Sequence, residues 1–210
     1  MSIINLTRKI LPAISSSTVQ NIQSINAMPE MVLSRLIRNG DKSILRVDMN
    51  QCGAAIIKSN GIKTVYTDGL CGCNSVASVI KLKNGQNLMI LSHYVPTNRK
   101  GQLEALKKQL KAYELYIDKN KKPQLFFNIR GNRNIRGDLE INPNPIINEV
   151  EDLYKSFFNH GVDTSITPYV TENRNAFFSS ANIFQFDPSN TPTLKITNVG
   201  EVEQYVNLAN

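Results

Sequence analysis

Val76-Ala-Ser-Val-Ile-Lys-Leu82, then Lys83-Asn84-Gly85-Gln86-Asn87, then Leu88-Met-Ile-Leu-Ser-His-Tyr-Val95 is the stretch whose reading decides the fold. Both flanking runs are rich in Val, Ile and Leu, as strands buried within a sheet are. Asn84-Gly85 sits between them, and Asn-Gly is the strongest short-range hairpin signal because both residues tolerate the positive φ of a type I′ turn. The runs therefore read as antiparallel neighbours. A two-residue loop would set Lys83 opposite Gln86 and Val76 opposite His93, with Cys73 just beyond the ladder beside the imidazole. A one-residue bulge would instead set Ala77 opposite His93 and return Cys73 to the face of the histidine. Either register brings Cys73 close to His93, and only the second does so by strict strand alternation.

Immediately upstream lies Thr67-Asp68-Gly69-Leu70-Cys71-Gly72-Cys73. A thiol and an imidazole are the minimum parts of a cysteine nucleophile and its base, and the chain has only two histidines. Gly69 and Gly72 flank the thiol, and Gly72 opens turns closed to residues with a side chain. Such a bend could aim the N–H of Cys73 at a developing oxyanion. The competing reading is a buried cysteine that simply packs beside glycine and is inert.

Thr67, Leu70, Gly72 and Cys73, with His93 on the next strand and Pro96 after it, resemble the signature of the CheD chemoreceptor glutamine deamidases. The same cysteine and histidine arrangement is similar to that of deamidase toxins of the cytotoxic necrotizing factor and Burkholderia lethal factor type. The gap of twenty residues from Cys73 to His93 is a little longer than is usual there. Downstream the order of elements is also CheD-like: a helix pattern, Gln124-Leu-Phe-Phe-Asn-Ile-Arg-Gly131-Asn132, a second helix, and short strands ending Phe184-Gln-Phe-Asp-Pro188 and Leu194-Lys-Ile196. The resemblance runs from Tyr66 to about Gly200. It implies an α+β fold, with a central β-sandwich or layered mixed and antiparallel sheets flanked by two main helices. It also implies catalytic roles for Cys73 and His93, with Thr67 orienting the imidazole or supporting the loop.

At 210 residues the chain can bury one sizeable core. Its three cysteines are an odd number without framework spacing, which argues against a disulfide scaffold. Cys71 and Cys73 form a Cys-x-Cys pair with no nearby Cys or His to complete a metal set, so neither metal nor cofactor is expected. The net charge of +7 is uneven, because residues 1 to 66 carry eight Lys or Arg against three acids. That excess could meet an acidic partner, a membrane surface or nucleic acid, or be a solvated surface. No basic-aromatic stripe or nucleic-acid motif supports a nucleic-acid partner, and no run is long enough to span a bilayer as a helix.

Residues 1–28 contain no acid and only a short apolar stretch at Ile10-Leu11, cut by Pro12. They read as a flexible region, either without special role or an uncleaved secretion leader. Residues 29–210 read as a single deamidase domain with an N-terminal extension at 29–65. Within it, a short helix is expected from Pro29 to Asn39-Gly40, and strands at Ile44 to Val47, Ala54 to Ile57 and Ile62 to Tyr66, with Asn60-Gly61 as a second hairpin turn. CheD chains have a shorter lead-in, so the extension favours an effector over a chemotaxis enzyme.

The helix expected from Gly101 to Asp118 aligns Leu103, Leu106, Leu110, Tyr113 and Ile117, and the one from Pro145 to Asn159 aligns Ile146, Val150, Leu153 and Phe157. Both stripes are core faces. His160 falls at the end of the second helix, where it suits the dipole and capping, and takes no catalytic role. The Asn-, Arg- and Pro-rich loop from Arg130 to Asn144 reads as a mobile surface loop or as a functional one, in which Arg130, Arg133 and Arg136 meet an acidic patch on a protein substrate.

By resemblance, the expected function is hydrolysis of a specific protein glutamine to glutamate through a cysteine thioester. The chain would be a secreted bacterial effector or toxin acting on a host protein in the host cytoplasm. The alternatives are a chemoreceptor deamidase in the bacterial cytoplasm and a non-catalytic interaction protein with a basic N-terminal third. A protease would use the same pair, but would normally present its cysteine at a helix start. An amine in place of water would turn the same parts to transglutamination. The protein substrate, the delivery route and the oligomeric state are not specified by the sequence.

Overall fold

The computed structural model describes residues 9–10, 42–57, 61–70, 72–133, 139–140, 144–169, 180–186, 192–198 and 204–207. The expected helix from Pro29 to Gly40, the rest of 1–28, Asn60, Cys71 and Arg136 lie outside these residues.

The fold is α+β, built on two main sheets. The strands are β1 (Lys9–Ile10), β2 (Ile44–Arg46), β3 (Gln51–Ile56), β4 (Thr64–Leu70), β5 (Asn74–Lys81), β6 (Asn87–Tyr94), β7 (Gln124–Arg130), β8 (Asn132–Arg133), β9 (Leu139–Glu140), β10 (Asp163–Tyr169), β11 (Ser180–Phe186), β12 (Pro192–Asn198) and β13 (Gln204–Asn207). A six-stranded mixed sheet runs β1-β10-β7-β5-β6-β3, and a five-stranded sheet runs β13-β12-β11-β4-β2. Among the described residues the two α-helices are α1 (Arg99–Tyr113) and α2 (Pro145–Lys155).

Alternation along the strands separates the two faces of the larger sheet. Val76, Ile80, Leu88, Ile90, Leu125, Phe127 and Ile129 pack with Leu106 and Leu110 of α1 and Ile146, Val150 and Tyr154 of α2. The intervening residues Ala77, Val79, Met89, Leu91 and Phe126 pack with Val47 and with Val65 of β4 in the smaller sheet. Helices thus cover one face and the second sheet covers the other. The central strands are apolar on both faces because both are buried, which is why they read as runs rather than alternations.

The hairpin forms in a register different from both expected ones. Ser75 pairs with His93, Ala77 with Leu91 and Lys81 with Asn87. Beyond the ladder Leu82 N–H donates to the Gln86 carbonyl at 2.9 Å, and Gly85 N–H donates to the Leu82 carbonyl at 2.8 Å. The loop is therefore Lys83-Asn84-Gly85, with Gly85 at φ 82°. A three-residue loop closed by a left-handed glycine replaces the two-residue turn that Asn-Gly suggested.

The strands on either side of the expected Asn60-Gly61 turn do not pair with each other. β3 joins the six-stranded sheet beside β6, and β4 joins the smaller sheet, parallel to β2 and antiparallel to β11.

Both helices end earlier than their apolar stripes suggested. After Tyr113 the chain turns to line the hairpin end: Ile117 bridges to Leu82, Lys83 N–H donates to Tyr116 O, and Asp118 N–H to Lys81 O. α2 begins at Pro145 with the Asn144 side chain accepting from Ile146 N–H, and Ser156 Oγ donates to Leu153 O near its end. His160 therefore lies beyond the helix and is exposed. The stripe on α2 is also rotated, since Ile147 and Tyr154 are buried while Leu153 is only partly covered. Part of the Arg130 to Asn144 loop pairs as a ribbon, β8 with β9.

Candidate functional site

His93 stands near the end of β6, on the face turned toward the smaller sheet, and is 2% exposed. Its partner comes from the facing sheet. Thr67 of β4, fully buried, places Oγ1 2.8 Å from His93 Nδ1. The same oxygen donates to the Val47 carbonyl at 2.7 Å. A hydroxyl has one proton to give. With that proton committed to Val47, Thr67 accepts from His93, so Nδ1 carries the ring proton and Nε2 presents the lone pair. Val47, Thr67 and His93 thereby fix the tautomer that suits Nε2 to base chemistry.

A turn at the edge of the site secures the backbone of the histidine. Asn50 takes φ 61°, a left-handed conformation that Asn tolerates better than most residues. Its N–H donates to the His93 carbonyl at 2.6 Å, and its Oδ1 accepts from Val95 N–H at 3.3 Å. His93 is thus tethered through its ring to one sheet and through its peptide to the β2–β3 turn.

Cys73 leads into β5. Extending the β5–β6 pairing by two residues from Ser75 and His93 sets Cys73 opposite Val95, and the side chain does pack with Leu70 and Val95. Alternation places it on the face of Ser75 and His93. It is 7% exposed. The preceding Gly72 has φ 109° and Gly69 has φ 71°, conformations that side chains resist. The chain can then leave the smaller sheet at β4 and enter the larger one at β5 with the thiol at the crossing.

Thr67 and His93 are therefore in direct contact, and Cys73 shares the intersheet face at the same end. Cys52, the other described cysteine, lies on β3 toward the helices, where burial pushes its thiol up to about 12. Among the described residues no three His, Cys, Asp or Glu side chains cluster as metal ligands would. No helix is long and apolar enough to cross a membrane among the same residues.

Ser75 and Asn128 were not singled out in the sequence. Ser75 pairs with His93 on one side and Asn128 of β7 on the other, so the three form a polar row across the sheet. Ser75 and Asn128 are fully buried. Each lies near the end of its strand where the thiol enters, but β5 also carries Asn74 and Ser78, so nothing in the sequence sets Ser75 apart. Arg130, two residues beyond Asn128 on the same face, reaches the Cys73 loop. Its Nη1 lies 3.8 Å from where a Cβ on Gly72 would stand.

No protein-family model matches the chain, and no curated protein matches it in sequence. Among solved structures, the C-terminal domain of CNFy from Yersinia pseudotuberculosis is a weak neighbour, with a TM-score of 0.36 and 8% identity over 79% of this chain and 62% of that one. The match thus spans less than two thirds of that domain, and no residue role is carried over from it.

Proposed function

We propose that this chain is a protein glutamine deamidase with Cys73 as nucleophile, His93 as base and acid, and Thr67 as the group that orients the imidazole. The observation that carries the reading is the Val47–Thr67–His93 relay, which prepares Nε2 to accept a proton, with Cys73 on the same intersheet face. A cysteine that only packed would need no such preparation of a neighbouring ring.

In the first half of the reaction, Nε2 takes the proton from Cys73 Sγ and the thiolate attacks the glutamine carboxamide carbon. The Cys73 N–H, presented by the bend at Gly72, is suited to meet the oxyanion. The imidazolium then protonates the amide nitrogen, the C–N bond breaks, ammonia departs and a thioester is left. In the second half Nε2 draws a proton from water, the hydroxide adds to the thioester, and collapse returns the thiol and releases glutamate. One water is consumed and one ammonia released, without a metal or organic cofactor. An amine replacing the water would give a transglutaminated product.

The substrate is read as a folded protein carrying the target glutamine, and the setting as a bacterial effector delivered to the host cytoplasm. The test is a peptide-mass survey of eukaryotic cytosolic extract treated with wild type or Cys73→Ala, scored for glutamine-to-glutamate conversions present only with wild type. One dominant site would name the substrate. Conversion of bacterial chemoreceptors alone would move the protein to the chemotaxis setting, and silence on both would sink the deamidase reading. Cys73→Ala and His93→Ala should each abolish turnover in folded protein, whereas Cys71→Ala should not.

A further inference from the structure

The β5–β7 ladder sets Ser75 opposite Asn128 and Val76 opposite Phe127. Extended two residues past the end of that ladder, the same register would set Cys73 opposite Arg130. Residues directly opposite each other share a face, so the guanidinium belongs to the intersheet face that carries the thiol. The Gly72 contact shows where its tip lies, against the loop that presents Cys73. Unlike Ser75, Asn128 and His93, Arg130 is exposed. Among the described residues no carboxylate is paired with it; Arg46, Arg99, Lys119, Lys122 and Lys155 have such partners.

We propose that Arg130 is a specificity-determining residue that binds a carboxylate next to the target glutamine in the protein substrate. The proposal rests on the deamidase reading for its substrate. A planar guanidinium binds carboxylates through two parallel N–H donors, and an acid within a residue or two of the glutamine would reach it while the carboxamide sits at Cys73. The glycine at position 72 keeps that path open, because a larger side chain there would stand between the guanidinium and the thiol loop.

Two measurements test it. The first is independent of enzymatic activity: alkylation of Cys73 by iodoacetate and by iodoacetamide, followed by mass spectrometry of the Cys73 peptide in wild type, Arg130→Gln and the distant control Lys107→Gln. The rate ratio of the two reagents cancels the thiolate fraction and reads attraction of the anion. It should fall about fourfold in Arg130→Gln, the order expected for one charge near the thiol at low salt, and be unchanged in Lys107→Gln. An unchanged ratio in folded Arg130→Gln overturns the anion site.

The second is the glutamine-conversion survey with wild type, Arg130→Gln and Arg130→Glu. Wild-type sites should carry Asp or Glu within two residues of the converted glutamine, and Arg130→Glu should raise KM for them and shift conversion toward sites flanked by Lys or Arg. Wild-type sites without flanking acids, converted equally by Arg130→Glu, overturn the proposal while leaving the deamidase intact. Absence of any conversion by wild type strikes the deamidase reading and the substrate role together. A ratio that falls even so would keep the anion site alone.

Discussion

Thr67 is the residue on which the chemistry of His93 turns, because a single hydroxyl proton decides which ring nitrogen bears hydrogen. Thr67→Val keeps the shape and removes the hydroxyl, leaving a buried ring N–H and a buried carbonyl without that partner. The fold should lose about 1–3 kcal/mol in a urea titration, and turnover should fall on the order of tenfold or more as the tautomer is no longer selected. Thr67→Ser should recover most of both. Full turnover in Thr67→Val would remove the relay from the mechanism. The relay was legible in the sequence only through resemblance: Thr67 was placed near the imidazole, but Val47 could not be, since a backbone carbonyl twenty residues away leaves no mark in composition or periodicity. Ser75 and Asn128 were hidden for a related reason. A polar residue in a buried strand acquires meaning only once the register sets it beside another.

At the scale of elements, two turns hold the site. The β2–β3 turn depends on the left-handed backbone of Asn50 and on its Oδ1. Asn50→Gly keeps the first and loses the second, whereas Asn50→Ala loses both and adds a backbone penalty of about 1–2 kcal/mol. Thermal midpoints and turnover should therefore rank wild type above Asn50→Gly and Asn50→Gly above Asn50→Ala. The reverse order of the two variants would show that the left-handed backbone does not limit the turn. The loop before β5 behaves differently. A Cβ on Gly72 meets only the Arg130 guanidinium, at an ordinary 3.8 Å, so the cost of Gly72→Ala comes from φ 109° and not from packing. It should lower turnover more than stability, and a loss confined to stability would contradict a role in presenting the thiol. The hairpin itself was legible from two apolar runs around Asn84-Gly85. Its register was not, because Asn-Gly is compatible with both a two-residue turn and a three-residue loop ending in left-handed Gly85.

For the whole molecule, the helix layer is joined to the central sheet by buried polar contacts as well as by the core. Gln102 of α1 donates to Ser92 at 2.9 Å, and Tyr154 of α2 donates to Ser78 at 2.7 Å. Burial raises the Tyr154 hydroxyl well above its ordinary value, and raises Cys52 from 9.0 to about 12. Both groups stay protonated in the folded chain at pH values where the unfolded chain ionises, so the folded state binds more protons and stability falls as pH rises. The loss should set in above about pH 9 and continue toward 12, the window given by Cys52. Urea midpoints across that range should fall less steeply in the double variant Cys52→Ser, Tyr154→Phe, and an identical slope would assign the loss to other groups. Both helices were legible from their apolar stripes, and the α+β class from the CheD resemblance. The assignment of β3 and β4 to different sheets was not, because strand order is set by packing at long range and not by the turn between neighbours.

The thiol and imidazole stand on one sheet, while the hydroxyl that selects the imidazole tautomer stands on the other. Competence is therefore a property of the docked pair of sheets and of neither alone. Under the proposed mechanism a chain whose sheets have parted should be silent even with every strand intact, its Cys73 reacting like any solvent-facing cysteine. If Cys73 and His93 act as proposed, turnover should disappear on warming before the far-ultraviolet circular dichroism changes, because only a completed sandwich would bring the parts together.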